Sequence, residues 1–339
     1  IRRMKPMWVV LVTALMLLVD CTKLDSDVSR LGSANNSSAT LIDTAKVPIN
    51  DLGTGTYLGF TGGLYPGGVD TPSGQYAKDL KKFARAVVPL NASGLKDSSS
   101  NGTIVFISLG GSTSGNLINA LKAKTDSNPA TNAFLNIFSC SNGYSSASFN
   151  SMMNPNDPYW SHVDNVLAGH SITHEQVQII YVESEDSTNL VFFPGRAYRV
   201  RNEIEACMRI CKIKFPNIRL VYVEGRTTTF HKYEIPNREP SPYYNGWGEK
   251  FVIQDQINGV PGTQYKGDSA VAPLVTWGWY QWANGTTKPR KDGFRWLESE
   301  TTDGLHATDA GEDTLATRFQ NFLLTDKYAK IWYANHTKH

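Results

Sequence analysis

The sequence predicts an α/β fold, with a parallel sheet covered by helices on both faces. Three observations carry that expectation. Short, unbroken apolar runs recur from residue 103 onward, helix-like segments separate them, and 40% of residues are hydrophobic against 19% charged. The last supplies enough apolar material for a sizeable core. Strands buried on both faces read as continuous apolar runs, and parallel neighbours need a crossover, usually a helix.

The elements follow in order. Residues 103–109 form the first strand candidate, Thr-Ile-Val-Phe-Ile-Ser-Leu, closed by Gly110 and Gly111. Residues 114–124 read as a helix, 133–139 as a second strand, 160–168 as a helix and 177–182 as a third strand. Residues 199–214 form a long helix with Ile204, Met208 and Cys211 on one face, ended by Pro216. A fourth strand covers 218–223 and a last helix 307–324. Residues 243–296 break the rhythm. They hold Trp247, Trp277, Trp279, Trp282 and Trp296 among many Gly, Pro and Asn residues. This stretch reads as a loop-rich insertion, either an aromatic packing layer or the wall of a sugar-binding cleft. One domain is expected over 51–330, with 331–339 as a tail.

At the N-terminus, Arg2, Arg3 and Lys5 precede an apolar run over 8–19 that is short for a bilayer span. A signal peptide is expected over 1–21, with a short membrane anchor as the alternative. Leu18-Val-Asp-Cys21 resembles a lipoprotein box, although Asp20 stands where a small residue is expected. Lipid anchoring through Cys21 is therefore left open. Residues 22–50, rich in Ser, Asn and Ala, read as a flexible linker. The expected location is secreted or extracytoplasmic. Sequons at Asn35, Asn36, Asn91, Asn101, Asn284 and Asn335 permit glycosylation. With 33 Lys and Arg against 31 Asp and Glu, and no basic stripe, nucleic acid is not the expected partner. The four cysteines, at 21, 140, 207 and 211, are too few for a disulfide scaffold and show no zinc spacing, so no metal is expected. Cys207 and Cys211, four apart on a helix, read as buried thiols.

Two short segments carry chemistry. Ser112 follows the first strand, at the sheet edge where open α/β folds bind ligands. Taken alone, a Ser there is also a common helix N-cap. Asp303 and His306 lie three apart in a turn opened by Gly304, a spacing that lets a carboxylate orient one face of the imidazole. His162, His170 and His174 lack a metal pattern and read as surface residues. Gly267-Asp268-Ser269 lies in a Gly/Pro-rich loop with no strand before it and is set aside as a nucleophile.

Together, Gly110-Gly111-Ser112 and Asp303-Gly-Leu-His306 resemble the SGNH (GDSL-like) hydrolase superfamily over residues 103–325. The resemblance implies a three-layer α/β/α, flavodoxin-like parallel sheet, a Ser112, His306 and Asp303 triad, and no cofactor. Gly111 replaces the usual Asp of the first block. The oxyanion would be held by the N–H groups of Ser112 and Gly143. The third block departs from the family. Glu183-Ser-Glu-Asp186 stands where Gly-x-Asn-Asp is usual, and ionised carboxylates repel an oxyanion rather than donate to it. Asn189 is the candidate substitute donor. Arg226, after the fourth strand, would contact substrate or form a structural ion pair, and Trp279 is a candidate substrate wall. From residue 57 onward, Phe60-Thr-Gly-Gly-Leu-Tyr-Pro-Gly-Gly68 and Trp277-Gly-Trp-Tyr-Gln-Trp282 are similar to a group of secreted bacterial proteins with this core.

Two functions are expected. One is an exported serine esterase acting on a small-molecule or acylated carbohydrate ester. The other is a catalytically degenerate, secreted binding or surface-assembly protein.

Overall fold

Five apolar runs pair side by side in one parallel sheet. They are β1 (Ile104–Gly110), β2 (Leu135–Ser139), β3 (Val177–Glu183), β4 (Leu220–Val223) and β5 (Leu274–Trp277). The computed structural model describes residues 46–141, 144, 147–188, 191–231, 238–285 and 288–336, all in one unit that begins at Ala45. The expected signal segment and Cys21 lie outside the described residues. β1, β3, β4 and β5 are buried at every position, which is why their sequences do not alternate.

The strand order is β2-β1-β3-β4-β5, the flavodoxin-like order. The main helices are α1 (Gly74–Ala86), α2 (Ser112–Ser127), α3 (Pro158–Gly169), α4 (Gly195–Lys214), α5 (Ser241–Asn258) and α6 (Asp309–Thr325). α2 packs against α6 and α4 against α5, so helices flank the sheet in a three-layer α/β/α fold. The chain reverses strand order at β1 and β3, and their carboxyl ends are where such folds place ligands.

The Trp-rich stretch differs from its sequence reading. It is no insertion, because it contains the 18-residue α5 and the fifth strand. α5 was hidden from periodicity because it is buried on nearly every side, from Ser241 through Ile253. Trp247, Trp277, Trp282 and Trp296 are all buried, so the packing reading holds for these four. The outer edge of β5 is also covered. Val275 N–H donates to Gln256 Oε1 at 2.9 Å, and the Tyr76 hydroxyl donates to the Val275 carbonyl. That removes an open strand edge.

Both ends of the domain extend further than expected. Ile49, placed in the linker by its sequence, is fully buried and starts the helical turn Ile49–Leu52. Trp332 and Tyr333, placed in the tail, are buried against the sheet side and α2 through Tyr222 and Thr125. Cys140, Cys207 and Cys211 are free and buried, the last two four apart on α4, where a disulfide would be geometrically awkward. Among the described residues no helix is long and apolar enough to cross a membrane.

Candidate active site

The nucleophile candidate sits where β1 ends. Gly110 has φ +137, and a Cβ there would lie 1.8 Å from the Glu183 carbonyl oxygen. Only glycine lets β1 and β3 approach this closely while the chain turns into α2. Gly111 is the N-cap of α2 and Ser112 the first helical residue, so the N-cap reading of Ser112 is excluded. The N–H groups of this first turn have no intrahelical partner and point out of the sheet edge. Ser112 is exposed.

The second half comes from the turn before α6. Thr302 N–H donates to the His306 carbonyl at 2.8 Å, and Thr301 bridges Ala307. Gly304 has φ +86 and sits against Phe230 and His231, leaving no room for a side chain. Its carbonyl accepts from Phe230 N–H and Thr229 Oγ1, which fixes the turn to the loop after β4. The turn brings His306 Nε2 to 2.7 Å from Ser112 Oγ and Nδ1 to 2.7 Å from Asp303 Oδ2. The N–H groups of Leu305 and His306 donate to Asp303 Oδ1 at 2.9 and 2.7 Å. Partial burial works to raise the Asp303 pKa, but the His306 ring and these two N–H groups outweigh it and hold it at about 2. An ionised Asp303 favours the imidazole tautomer with the proton on Nδ1, leaving Nε2 to accept from the Ser112 hydroxyl.

The third block resolves differently from its sequence reading. Its carboxylates do not face an incipient oxyanion bare. Glu183 Oε1 accepts from Thr113 Oγ1 at 2.7 Å and from Arg226 Nε at 3.0 Å, while Arg226 Nη1 reaches Glu185 Oε2 at 2.5 Å. Burial pushes the Glu183 pKa up, and the Arg226 charge and the Thr113 hydrogen bond partly offset it. Burial opposes the charge on Arg226, but Glu185 and Glu183 hold its pKa above the ordinary arginine value. Asp186 is fully buried, 3.0 Å from Arg199 Nη1 and 3.6 Å from Arg196 Nη1. Arg226, a candidate substrate contact, is 6% exposed and spans two carboxylates, so the structural ion pair accounts for it. Gly143 and Asn189, the other oxyanion candidates, lie outside the described residues.

Trp279 is half-buried. Phe294 packs edge-on against it, with ring centroids 4.6 Å apart, and the Arg290 guanidinium lies 4.9 Å from its ring centroid. It lines a cavity of about 420 Å³ at the β5 edge, whose walls include none of Ser112, Asp303 or His306. The structure thus does not bring Trp279 into the triad's surroundings. Ser269 is exposed in the loop before β5, at the opposite edge of the sheet from Ser112. His174 pairs with Asp164 at 2.8 Å and His170 stacks on Phe138. Among the described residues no cluster is arranged to hold a metal.

Sequence reasoning missed Thr113 and Glu183 as the clamp on the first turn of α2. The signal was faint, a hydroxyl beside Ser112 and an acid ending a buried strand.

No family model matches the chain, and no curated protein matches it. Among solved structures it is similar to a "putative acylhydrolase" from Bacteroides fragilis, at 10% identity and a TM-score of 0.38. The match covers 74% of this chain and 97% of that one. At that distance the likeness decides nothing about activity, and the chemistry has to be read from the side chains.

Proposed function

We propose that the protein is a serine acyl hydrolase. The observation that carries this reading is the unbroken hydrogen-bonded line Ser112 Oγ, His306 Nε2, His306 Nδ1, Asp303 Oδ2, with both links at 2.7 Å. Nucleophile, base and orienting carboxylate each lie within reach of the next. Ser112 Oγ attacks the ester carbonyl as its proton passes to His306 Nε2. The α2 first-turn N–H groups face the negative charge that develops on the carbonyl oxygen. The tetrahedral intermediate collapses, the C–O bond to the alcohol breaks, and His306 returns the proton to that alcohol. Water then attacks the acyl-enzyme as His306 takes its proton, the bond from the acyl carbon to Ser112 Oγ breaks, and His306 returns the proton to Oγ as the acid leaves. Asp303 stabilises the imidazolium in both halves.

A fluorophosphonate probe tests this. Wild-type protein should be labelled at Ser112 and should hydrolyse p-nitrophenyl acetate, and absence of both overturns the reading. The acidic third block favours the second reading, a binding protein on the same scaffold, because no side-chain amide takes the place of the family's donor among the described residues of that block. That reading predicts no labelling despite a folded domain. The apolar run over 8–19 supports an extracytoplasmic location, which fractionation of expressing cells would test.

A further inference from the structure

A two-stranded hairpin, Thr56–Tyr57 paired with Phe60–Thr61, turns through Leu58 and Gly59. Both turn residues have positive φ, +47 for Leu58 and +88 for Gly59. Asn, Asp or Gly suits the first position of such a turn, whereas a Leu side chain is strained there. Leu58 is nevertheless 55% exposed, so little packing offsets the strain. The residues on either side of the turn are anchored. The Tyr57 and Phe60 rings lie 5.0 and 5.1 Å from the Phe193 ring. Phe192, next to Phe193, is 64% exposed, and Tyr198, whose ring lies 6.3 Å from that of Phe60, is exposed too. Three large, mainly apolar side chains thus reach solvent from one packed aromatic layer.

A basic shelf adjoins this tip. A cleft of about 320 Å³ is walled by Lys46, Val47, Lys288 and Lys291, with Asp51 as its one carboxylate. Arg290 also lines it but is engaged by Asp292 and the Tyr280 carbonyl. Shelf and tip meet through Tyr243. Its hydroxyl donates to the Val47 carbonyl at 2.9 Å, and its ring lies 5.0 Å from that of Tyr57. The described chain begins at Lys46, so the sequence upstream, with its apolar run over 8–19, joins the domain at this shelf. A bilayer holding that run holds the domain by this side. Shape and charge point to the same occupant. Side chains at the tip of a turn form a wedge, which suits the boundary between headgroups and acyl chains. Lysines beside the wedge match the negative surface of anionic lipids.

We infer that this face docks on an anionic lipid bilayer, with Leu58 and Phe192 at the acyl boundary and Lys46, Lys288 and Lys291 over the headgroups. The inference does not depend on Ser112 being reactive. The full chain is mixed with phosphatidylcholine vesicles, with and without phosphatidylglycerol, and binding is read by co-sedimentation. Wild type should prefer the anionic vesicles and lose affinity as salt rises. Leu58→Asn should raise Tm, since Asn suits the turn, yet weaken binding about tenfold. Phe192→Ser should weaken binding similarly, and Lys288→Glu should reduce the preference for anionic vesicles. An environment-sensitive fluorophore on Leu58→Cys separates this face from the apolar run over 8–19. It is attached in a Cys21→Ser background, where the remaining thiols are buried. Its emission should shift to the blue on vesicles. Wild-type protein that ignores anionic vesicles overturns the inference. So does binding that Leu58→Asn and Phe192→Ser leave unchanged while the fluorophore does not shift, which assigns it to the N-terminal run alone. Self-association that Leu58→Asn abolishes, without vesicle binding, makes the partner a second copy of the chain and overturns the lipid.

Discussion

Replacing Arg226 with Met should cost stability, not substrate affinity. Arg226 is 6% exposed and Glu183 3% exposed, and the guanidinium binds Glu183 at 3.0 Å and Glu185 at 2.5 Å. Its removal leaves buried carboxylate without a counter-charge, a change that costs roughly 3–5 kcal/mol. In a domain of this size each kcal/mol moves the midpoint by about 2 °C, so Tm should fall by about 6–10 °C. The loss should depend on pH in a defined direction. Glu183 has its folded-state pKa raised by burial, and Arg226 is what opposes the rise. Without Arg226 it rises further. A raised acid contributes its stability fully below the ordinary glutamate value and loses it as pH climbs through the folded value. Arg226→Met should therefore be least harmful near pH 5 and most harmful near pH 8. Urea unfolding followed by tryptophan fluorescence at both values measures this. Adding Glu183→Gln should recover part of the loss at pH 8. A cost under about 1 kcal/mol, a loss independent of pH, or an unchanged Tm with a raised KM would refute the ion-pair account.

Ser112→Ala should abolish probe labelling and ester turnover with little change in Tm, because the side chain is exposed and its recorded contact is His306. Asp303→Asn should lower kcat by roughly 10⁴-fold by favouring the wrong imidazole tautomer, read from steady-state kinetics. Glu203→Gln should stabilise the protein at pH 8. Burial, reinforced by Asp186, raises this acid to about 8 and its Oε2 lacks a hydrogen-bond partner, so wild type loses roughly 3–4 kcal/mol between pH 5 and 8 that the amide does not. Urea midpoints at the two pH values report it. Gly110→Ala should destabilise by roughly 4 kcal/mol or more, since its Cβ would meet the Glu183 carbonyl. A mild effect in thermal melts would show that β1 and β3 can part at that point.

The sequence by itself determined the parallel α/β fold, because strands buried on both faces must be apolar throughout and helices between them keep their own periodicity. It also located Ser112, Asp303 and His306, since Gly110 and Gly304 mark the two turns whose backbones admit no side chain. The tertiary structure alone decided how the acidic run behaves. Glu183, Glu185 and Asp186 are adjacent in sequence, but their charge is answered by Arg226, Arg196 and Arg199 on other elements, and no local pattern encodes that pairing. It alone placed α5 and β5, because a helix buried on all sides has no amphipathic stripe to read. The Ser112–His306 pair likewise exists only once α6 lies along α2. Its two members are 194 residues apart in the chain, and packing on a shared sheet face is what brings them together.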